Sequence, residues 1–183
     1  MREFERVGRL GRLPRAARLI YTGFLLYTLA AIAVTLWLTD EAVGLSFQKF
    51  DEYYLGIPTS VSSPEPTSSG LVLDLPDELS APPEPEPKSL RSILEVTHFH
   101  LFTMPLYWMV LAHLFALSGV RRFKSAVIAV SGLSVGAHLC APWIARTGVA
   151  FSHAYYAISG GLLGLGFVVM ALVPLLELWR KKA

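Results

Sequence analysis

Four long apolar runs without a charged residue constrain the fold of this 183-residue chain more than any other feature. They cover residues 19–38, 97–119, 125–144 and 149–176. An α-helix rises about 1.5 Å per residue, so about 20 residues cross a hydrocarbon core about 30 Å thick. Each run is therefore long enough to span a bilayer, and we expect an all-α, polytopic membrane protein with four transmembrane helices.

The composition agrees with this class. The chain is 53% hydrophobic and 16% charged, whereas soluble domains average about 25% charged residues. Its single cysteine, Cys140, excludes an intrachain disulfide and a cysteine-rich metal centre built by this chain alone. The first run is longer than the apolar part of a secretory signal peptide, and no clear small-residue cleavage site follows it, so we expect it to be retained as a helix.

The distribution of lysine and arginine predicts the orientation. Twelve of the sixteen basic residues lie in the N-terminal tail 1–18, in the loop 120–124 or in the C-terminal tail 177–183. Eleven of the fourteen acidic residues lie in the loop 39–96. Because basic residues favour the cytoplasmic side, we expect both termini in the cytoplasm and the loop 39–96 in the periplasm.

The loop 39–96 has two parts. The stretch LSFQKFDEYYLGIP mixes aromatic with charged residues and indicates a short interfacial helix. The segment 58–87 is rich in Pro, Ser and Glu, so we expect it to lack stable secondary structure of its own. A partner subunit is one way to order it.

Histidines are the unusual residues of the apolar runs, because an imidazole is costly in hydrocarbon unless it is paired or liganded. At the expected depths, four of the five histidines lie in the periplasmic half of the bundle: His98, His100, His138 and His153. His113 lies about 22 Å further along its helix than His98. The sequence therefore predicts a cluster of four histidines, with His113 apart near the cytoplasmic side.

Two of these four histidines are candidate ligands of a haem iron, because membrane b-type haems are held by histidine pairs from neighbouring helices. The pattern does not select the two ligands. Gly160 and Gly164 align with His153 on the fourth run, and such small residues allow a helix or a flat macrocycle to approach closely.

A quinol is the other expected occupant of this region. Its oxidation needs a proton acceptor, which a histidine near the membrane surface supplies. Aromatic residues available beside such a histidine are Tyr107, Trp108, Trp143, Tyr155 and Tyr156. Interfacial aromatic belts explain the same residues without any ligand.

Three other interpretations stay open. The H-x-H pair at the start of the second run, together with His138 or His153, would form a zinc or copper site, but Glu95 and Cys140 are the only carboxylate and thiolate at that depth. The histidines would otherwise link helices through hydrogen bonds. A transporter is the weakest interpretation, because the spans hold no buried acid and no lysine or arginine.

The stretch FDEYYLG, followed by KSLRSILEVTHFHLFTMPLYWMVLAHLF, resembles a group of small four-helix inner-membrane proteins of proteobacteria. The similarity runs through the loop and the second span. The resemblance implies a multi-pass protein of the bacterial inner membrane in which His98, His100 and His113 belong to a recurring motif. It supplies neither a cofactor nor catalytic residues.

We therefore expect a small integral membrane subunit of a respiratory-type electron-transfer complex, similar to b-type cytochromes, that binds haem b or quinol in the periplasmic half. The alternative is a cofactor-free structural or accessory subunit of a larger membrane complex. The expected partners are the lipid bilayer and other subunits of the complex. An electron-transfer subunit would also bind a quinone, and we expect no nucleic acid partner for either function.

Overall fold

The computed structural model describes residues 10–44, 47–57 and 86–180, and this part of the chain is helical without any strand. A 3-10 turn, Leu10–Arg12, precedes five α-helices. They are α1 (Arg15–Ala42), α2 (Phe47–Leu55), α3 (Leu90–Ala116), α4 (Lys124–Arg146) and α5 (Ser152–Trp179). All except α2 are long and apolar enough to cross a membrane. The expected all-α class with four candidate spans is confirmed.

Each long helix extends beyond its apolar run at one end at least. α3 begins at Leu90 rather than at residue 97, because the Ser89 hydroxyl caps it by accepting a hydrogen bond from the Ser92 N–H at 3.2 Å. Arg91 and Glu95, one turn apart in this extension, form an exposed ion pair at 2.9 Å. Charged residues are compatible with a helix outside the hydrocarbon core, so an uncharged run underestimates the helix length.

α2 is the short helix expected in the first part of the loop. It packs against α4, at the end of the bundle where α1 and α4 end and where α3 and α5 begin. We call this the loop end, and we call the opposite end, where α1 begins and α5 ends, the terminal end. The segment 58–85, the N-terminal residues 1–9 and the residues 181–183 lie outside the described part of the chain.

α5 is the central helix of the bundle. It packs against α1, α3 and α4, and the turn Leu10–Arg12 also packs on it. In lipid, helices associate through close packing and polar contacts. Moving an apolar side chain from lipid into the protein interior lowers the free energy little, so hydrophobic burial does not drive the association. Small residues provide that packing here: a Cβ atom on Gly166 of α5 would lie 2.6 Å from the Ser131 Cβ of α4, and one on Gly132 of α4 would lie 2.8 Å from the Trp108 ring of α3.

Polar contacts connect the packed helices at several depths. Each joins a side chain of one helix to a neighbouring helix and supplies a hydrogen bond that lipid cannot supply. They are Tyr107 to Thr28 (2.7 Å), Trp108 to Ser131 (3.2 Å), Trp143 to Thr97 (3.0 Å), Tyr155 to the Ala137 carbonyl (2.9 Å) and Trp179 to Thr22 (2.8 Å).

Candidate functional site

His138 of α4 lies against α5 near the loop end. Its Nδ1 is 3.2 Å from the Ser159 hydroxyl oxygen, and its ring centroid is 5.3 Å from that of Tyr156. A Cβ atom on Gly160 would lie 3.2 Å from His138 Cε1. The glycine therefore provides the room that the imidazole occupies between α4 and α5.

The hydrogen bonds around Ser159 favour one tautomer of His138. The Ser159 hydroxyl donates to the Tyr156 carbonyl at 3.1 Å. Because a hydroxyl has a single proton, Ser159 accepts from His138, and Nδ1 of His138 carries the hydrogen. In the neutral imidazole, the lone pair then resides on Nε2.

His100 of α3 reaches the same tautomer by a different contact. Its Nδ1 lies 2.7 Å from the carbonyl oxygen of Val96, one turn earlier in α3. A carbonyl only accepts, so Nδ1 donates, and in the neutral imidazole Nε2 again holds the lone pair. The imidazoles of His100 and His138 lie close enough for their charges to repel each other when both are protonated. Two neighbouring helices thus bring two imidazoles with the same donor and acceptor arrangement to the loop end.

The other two predicted histidines have different surroundings. His98 is exposed, and its ring contacts those of Phe99 and Phe102 at centroid distances of 6.0 and 5.2 Å. It lies on the opposite side of α3 from His100, because two residues correspond to about 200° of helical rotation. The ring of His153 on α5 is nearly perpendicular to that of Phe50, with 5.1 Å between the two centroids.

An aromatic cluster of α2 covers the loop end of α4 and α5. Phe50 and Tyr54, which lie one turn apart in α2, are only 1% and 5% exposed. Phe50 contacts Tyr156 and His153 of α5, and Arg146 of α4 donates to the Tyr54 carbonyl at 3.3 Å. α2 therefore closes the end of the bundle at which His138 lies.

Tyr54 also forms a polar contact with α5, because its hydroxyl donates to that of Tyr156. Burial, followed by the proximity of Tyr156, raises the pKa of Tyr54 well above its ordinary value of 10.0. The phenol is accordingly neutral at physiological pH and retains the proton that it donates to Tyr156.

Sequence reasoning missed α2 as part of this site. The signal was present, since Phe50 and Tyr54 stand four residues apart in FQKFDEYYL and therefore share a helical face. That spacing does not predict that the two side chains pack against α5. The two glycines Gly160 and Gly164 also have different surroundings. Gly160 faces His138, whereas a Cβ atom on Gly164 would meet nothing within 4 Å.

His113 is exposed on α3, near its C-terminal end. Across residues 10–44, 47–57 and 86–180, no group of three His, Cys, Asp or Glu side chains is placed to hold a metal ion.

The fold defines the class of this molecule: it is a multi-pass α-helical membrane protein with four candidate spans and a short helix at one end. A family model described as a transmembrane helical domain matches residues 44–183, which include α2 to α5. The chain belongs to this family. No curated protein and no solved structure matches the chain.

Proposed function

We propose that this protein is a small integral membrane subunit of an electron-transfer assembly in the bacterial inner membrane, with His100 and His138 as the residues that bind haem b or quinol. One observation supports the proposal most. Two imidazoles from neighbouring helices are each oriented by a hydrogen bond at Nδ1, and the neutral form of each retains its lone pair on Nε2.

This donor set suits a haem iron. Ligating histidines typically donate their other ring N–H to a carbonyl or another polar group, which fixes the ring and makes the ligating nitrogen more basic. Val96 and Ser159 accept these hydrogen bonds here. His100 and His138 would hold the iron through Nε2, and the haem would supply one-electron transfer when bound.

A quinol has a separate observation in its favour. His138 is only partly buried and lies beside the Tyr156 ring, so its Nε2 would accept a hydrogen bond from a quinol hydroxyl while the aromatic ring packs against the quinol ring. Only one of the two histidines is needed for this role, and that difference separates the two ligands experimentally.

The test is the reduced-minus-oxidised visible spectrum of the purified full chain. We expect a haem α-band in the wild type that is lost in His100→Ala and in His138→Ala. His98→Ala and His113→Ala serve as matched controls on the same helix and should retain the band. A band that survives both His100→Ala and His138→Ala would contradict the assignment of the site.

Quinol binding is measured on the same preparations by extracting and quantifying the quinone that copurifies. If quinol rather than haem is the ligand, the wild type shows no α-band, quinone copurifies with it, and His138→Ala loses more quinone than His100→Ala does.

The alternative function is that of a cofactor-free accessory subunit, and the polar contacts between helices favour it. In this case the bond from His138 to Ser159 is one more connection between α4 and α5, and interhelical hydrogen bonds of this kind contribute about 0.6 kcal/mol on average. The expected result is then neither an α-band nor bound quinone, with a modest loss of stability in His138→Ala.

A further inference from the structure

The turn between α3 and α4, residues 117–123, is held firmly at its base. Lys124 Nζ donates to the carbonyl oxygens of Ala116 at 2.7 Å and Ser118 at 2.8 Å. The backbone N–H of Gly119 donates to both carboxylate oxygens of Glu177 on α5, each at 2.8 Å. A Cβ atom at position 119 would lie 3.3 Å from the Glu177 carboxylate, so glycine permits this approach. These contacts join the turn to the end of α5.

Phe123, the last residue of this turn, has an unusual backbone conformation. Its φ of 61° lies in the left-handed region, which disfavours residues that have a Cβ atom, and its side chain is 78% exposed. No buried packing compensates for the strained backbone. Backbone strain tends to occur at functional positions, and exposed aromatic side chains at the ends of membrane helices favour the headgroup region of a bilayer.

The charge around Phe123 is positive. Arg121 and Arg122 precede it and are exposed. Seven basic residues lie at the terminal end within the described ranges: Arg12, Arg15, Arg18, Arg121, Arg122, Lys124 and Arg180. Glu177 is the single acidic residue at this end within the same ranges, and both of its carboxylate oxygens accept from Gly119.

We propose that the turn 117–123 binds the headgroups of anionic phospholipids in the adjacent leaflet. Arg121 and Arg122 contact the lipid phosphate, and Phe123 inserts at the depth of the headgroups. The contacts of Lys124 and Glu177 keep the turn in position, so that no large ordering entropy opposes the binding. This inference is independent of the histidine site.

The test measures thermal unfolding of the full chain in detergent as phosphatidylglycerol is added. A ligand that binds the folded state raises the unfolding temperature, so we expect phosphatidylglycerol to stabilise the wild type more than phosphatidylcholine or inorganic phosphate does. Because a basic residue near an anionic surface contributes about fivefold in affinity, each of Arg121→Gln and Arg122→Gln should raise the half-saturating phosphatidylglycerol concentration about fivefold.

Three further variants make the result specific. Arg91→Gln, at an exposed arginine of the loop end, should respond to phosphatidylglycerol as the wild type does. Arg121→Lys combined with Arg122→Lys keeps the charge and should retain most of the response. Phe123→Gly removes the backbone strain, so it should fold at least as well as the wild type without lipid and respond less to phosphatidylglycerol.

Either of two outcomes would overturn the proposal. One is an unchanged response to phosphatidylglycerol when both arginines are glutamine or, if that variant does not fold, in Phe123→Gly. The other is equal stabilisation of the wild type by phosphatidylcholine or inorganic phosphate, which would indicate a general amphiphile effect or a site for small anions.

Discussion

Gly160 shows how one missing side chain decides the position of a functional candidate. The His138 ring lies so close to α5 that a Cβ atom at position 160 would be 3.2 Å from Cε1. The neighbouring Gly161 has nothing within 4 Å of its own hypothetical Cβ atom. The two glycines are therefore chemically identical neighbours with opposite steric surroundings, which makes them a matched pair for mutation.

We expect Gly160→Ala to destabilise the protein by about 1–3 kcal/mol, because overpacking displaces His138 from Ser159. Gly161→Ala should leave stability unchanged or raise it by up to about 1 kcal/mol, because alanine favours helix more than glycine does. Unfolding by a denaturing detergent, followed by circular dichroism, measures both. Equal effects of the two substitutions would show that His138 does not pack on Gly160.

Tyr54 provides a prediction with a pH dependence. Replacing it by phenylalanine removes the hydrogen bond to Tyr156, at an expected cost of about 0.5–1.5 kcal/mol in the free energy of unfolding near neutral pH. Tyr27→Phe is the control, because Tyr27 is exposed on α1. It should change the stability little near neutral pH.

Burial raises the pKa of Tyr54 in the folded state, so the unfolded chain loses this proton first as the pH rises. The contribution of Tyr54 is therefore complete below the ordinary pKa of 10.0 and declines above it. The stability difference between the wild type and Tyr54→Phe should be constant from about pH 8 to about pH 9 and smaller at about pH 11. A difference that is equally large at all these pH values is the contrary result, and unfolding curves at several pH values distinguish the two.

At the scale of elements, α1 is attached to the bundle by few contacts. Its fully buried residues are Leu25 and Thr28, and the rest of its surface is mostly open. Thr28 donates to the Phe24 carbonyl at 2.8 Å and accepts from the Tyr107 hydroxyl of α3 at 2.7 Å. This hydroxyl therefore connects α1 to α3.

Thr28→Val keeps the shape of the side chain and removes its polar contacts. We expect a loss of about 0.6 kcal/mol and at most about 1.7 kcal/mol, the mean and the maximum measured for hydrogen bonds between membrane helices. Hydrogen exchange should become faster in α1 before it does in α5. Thr35→Val, at an exposed position on α1, is the control, and an equal effect of both changes would refute the attachment through Thr28.

α3 illustrates what helical spacing reveals and what it conceals. The H-x-H sequence looks like one unit, yet alternate residues of a helix face nearly opposite directions, so His98 and His100 have different surroundings. This separation could be predicted from the sequence. The sequence could not predict that His100 rather than His98 lies near His138, because this depends on how α3 is rotated against α4.

At the scale of the whole molecule, the orientation in the membrane is the main open prediction. The lysines and arginines predict that both termini lie in the cytoplasm. A green fluorescent protein fused to the C-terminus should fluoresce, whereas alkaline phosphatase fused there should be inactive. Alkaline phosphatase inserted into the segment 58–85 should be active, and the reverse pattern would place the termini in the periplasm.

The sequence alone determined the class of the protein and the number of candidate spans. Helix length, bilayer thickness and the absence of charge are local properties of the chain, and so four apolar runs suffice to predict four helices. The short helix α2 followed from local pattern as well. The starting residue of α3 did not follow from the local pattern, because the first residues of this helix include charged side chains and lie outside the apolar run.

Only the tertiary structure decided which residues share a site. It placed His138 on Gly160 and beside Tyr156, and it brought Phe50 and Tyr54 of α2 over the loop end. The physical reason is that depth in the membrane follows from position in the chain, whereas rotation about each helix axis follows from packing against neighbours. Small residues and polar contacts set that rotation, and their partners lie in other helices.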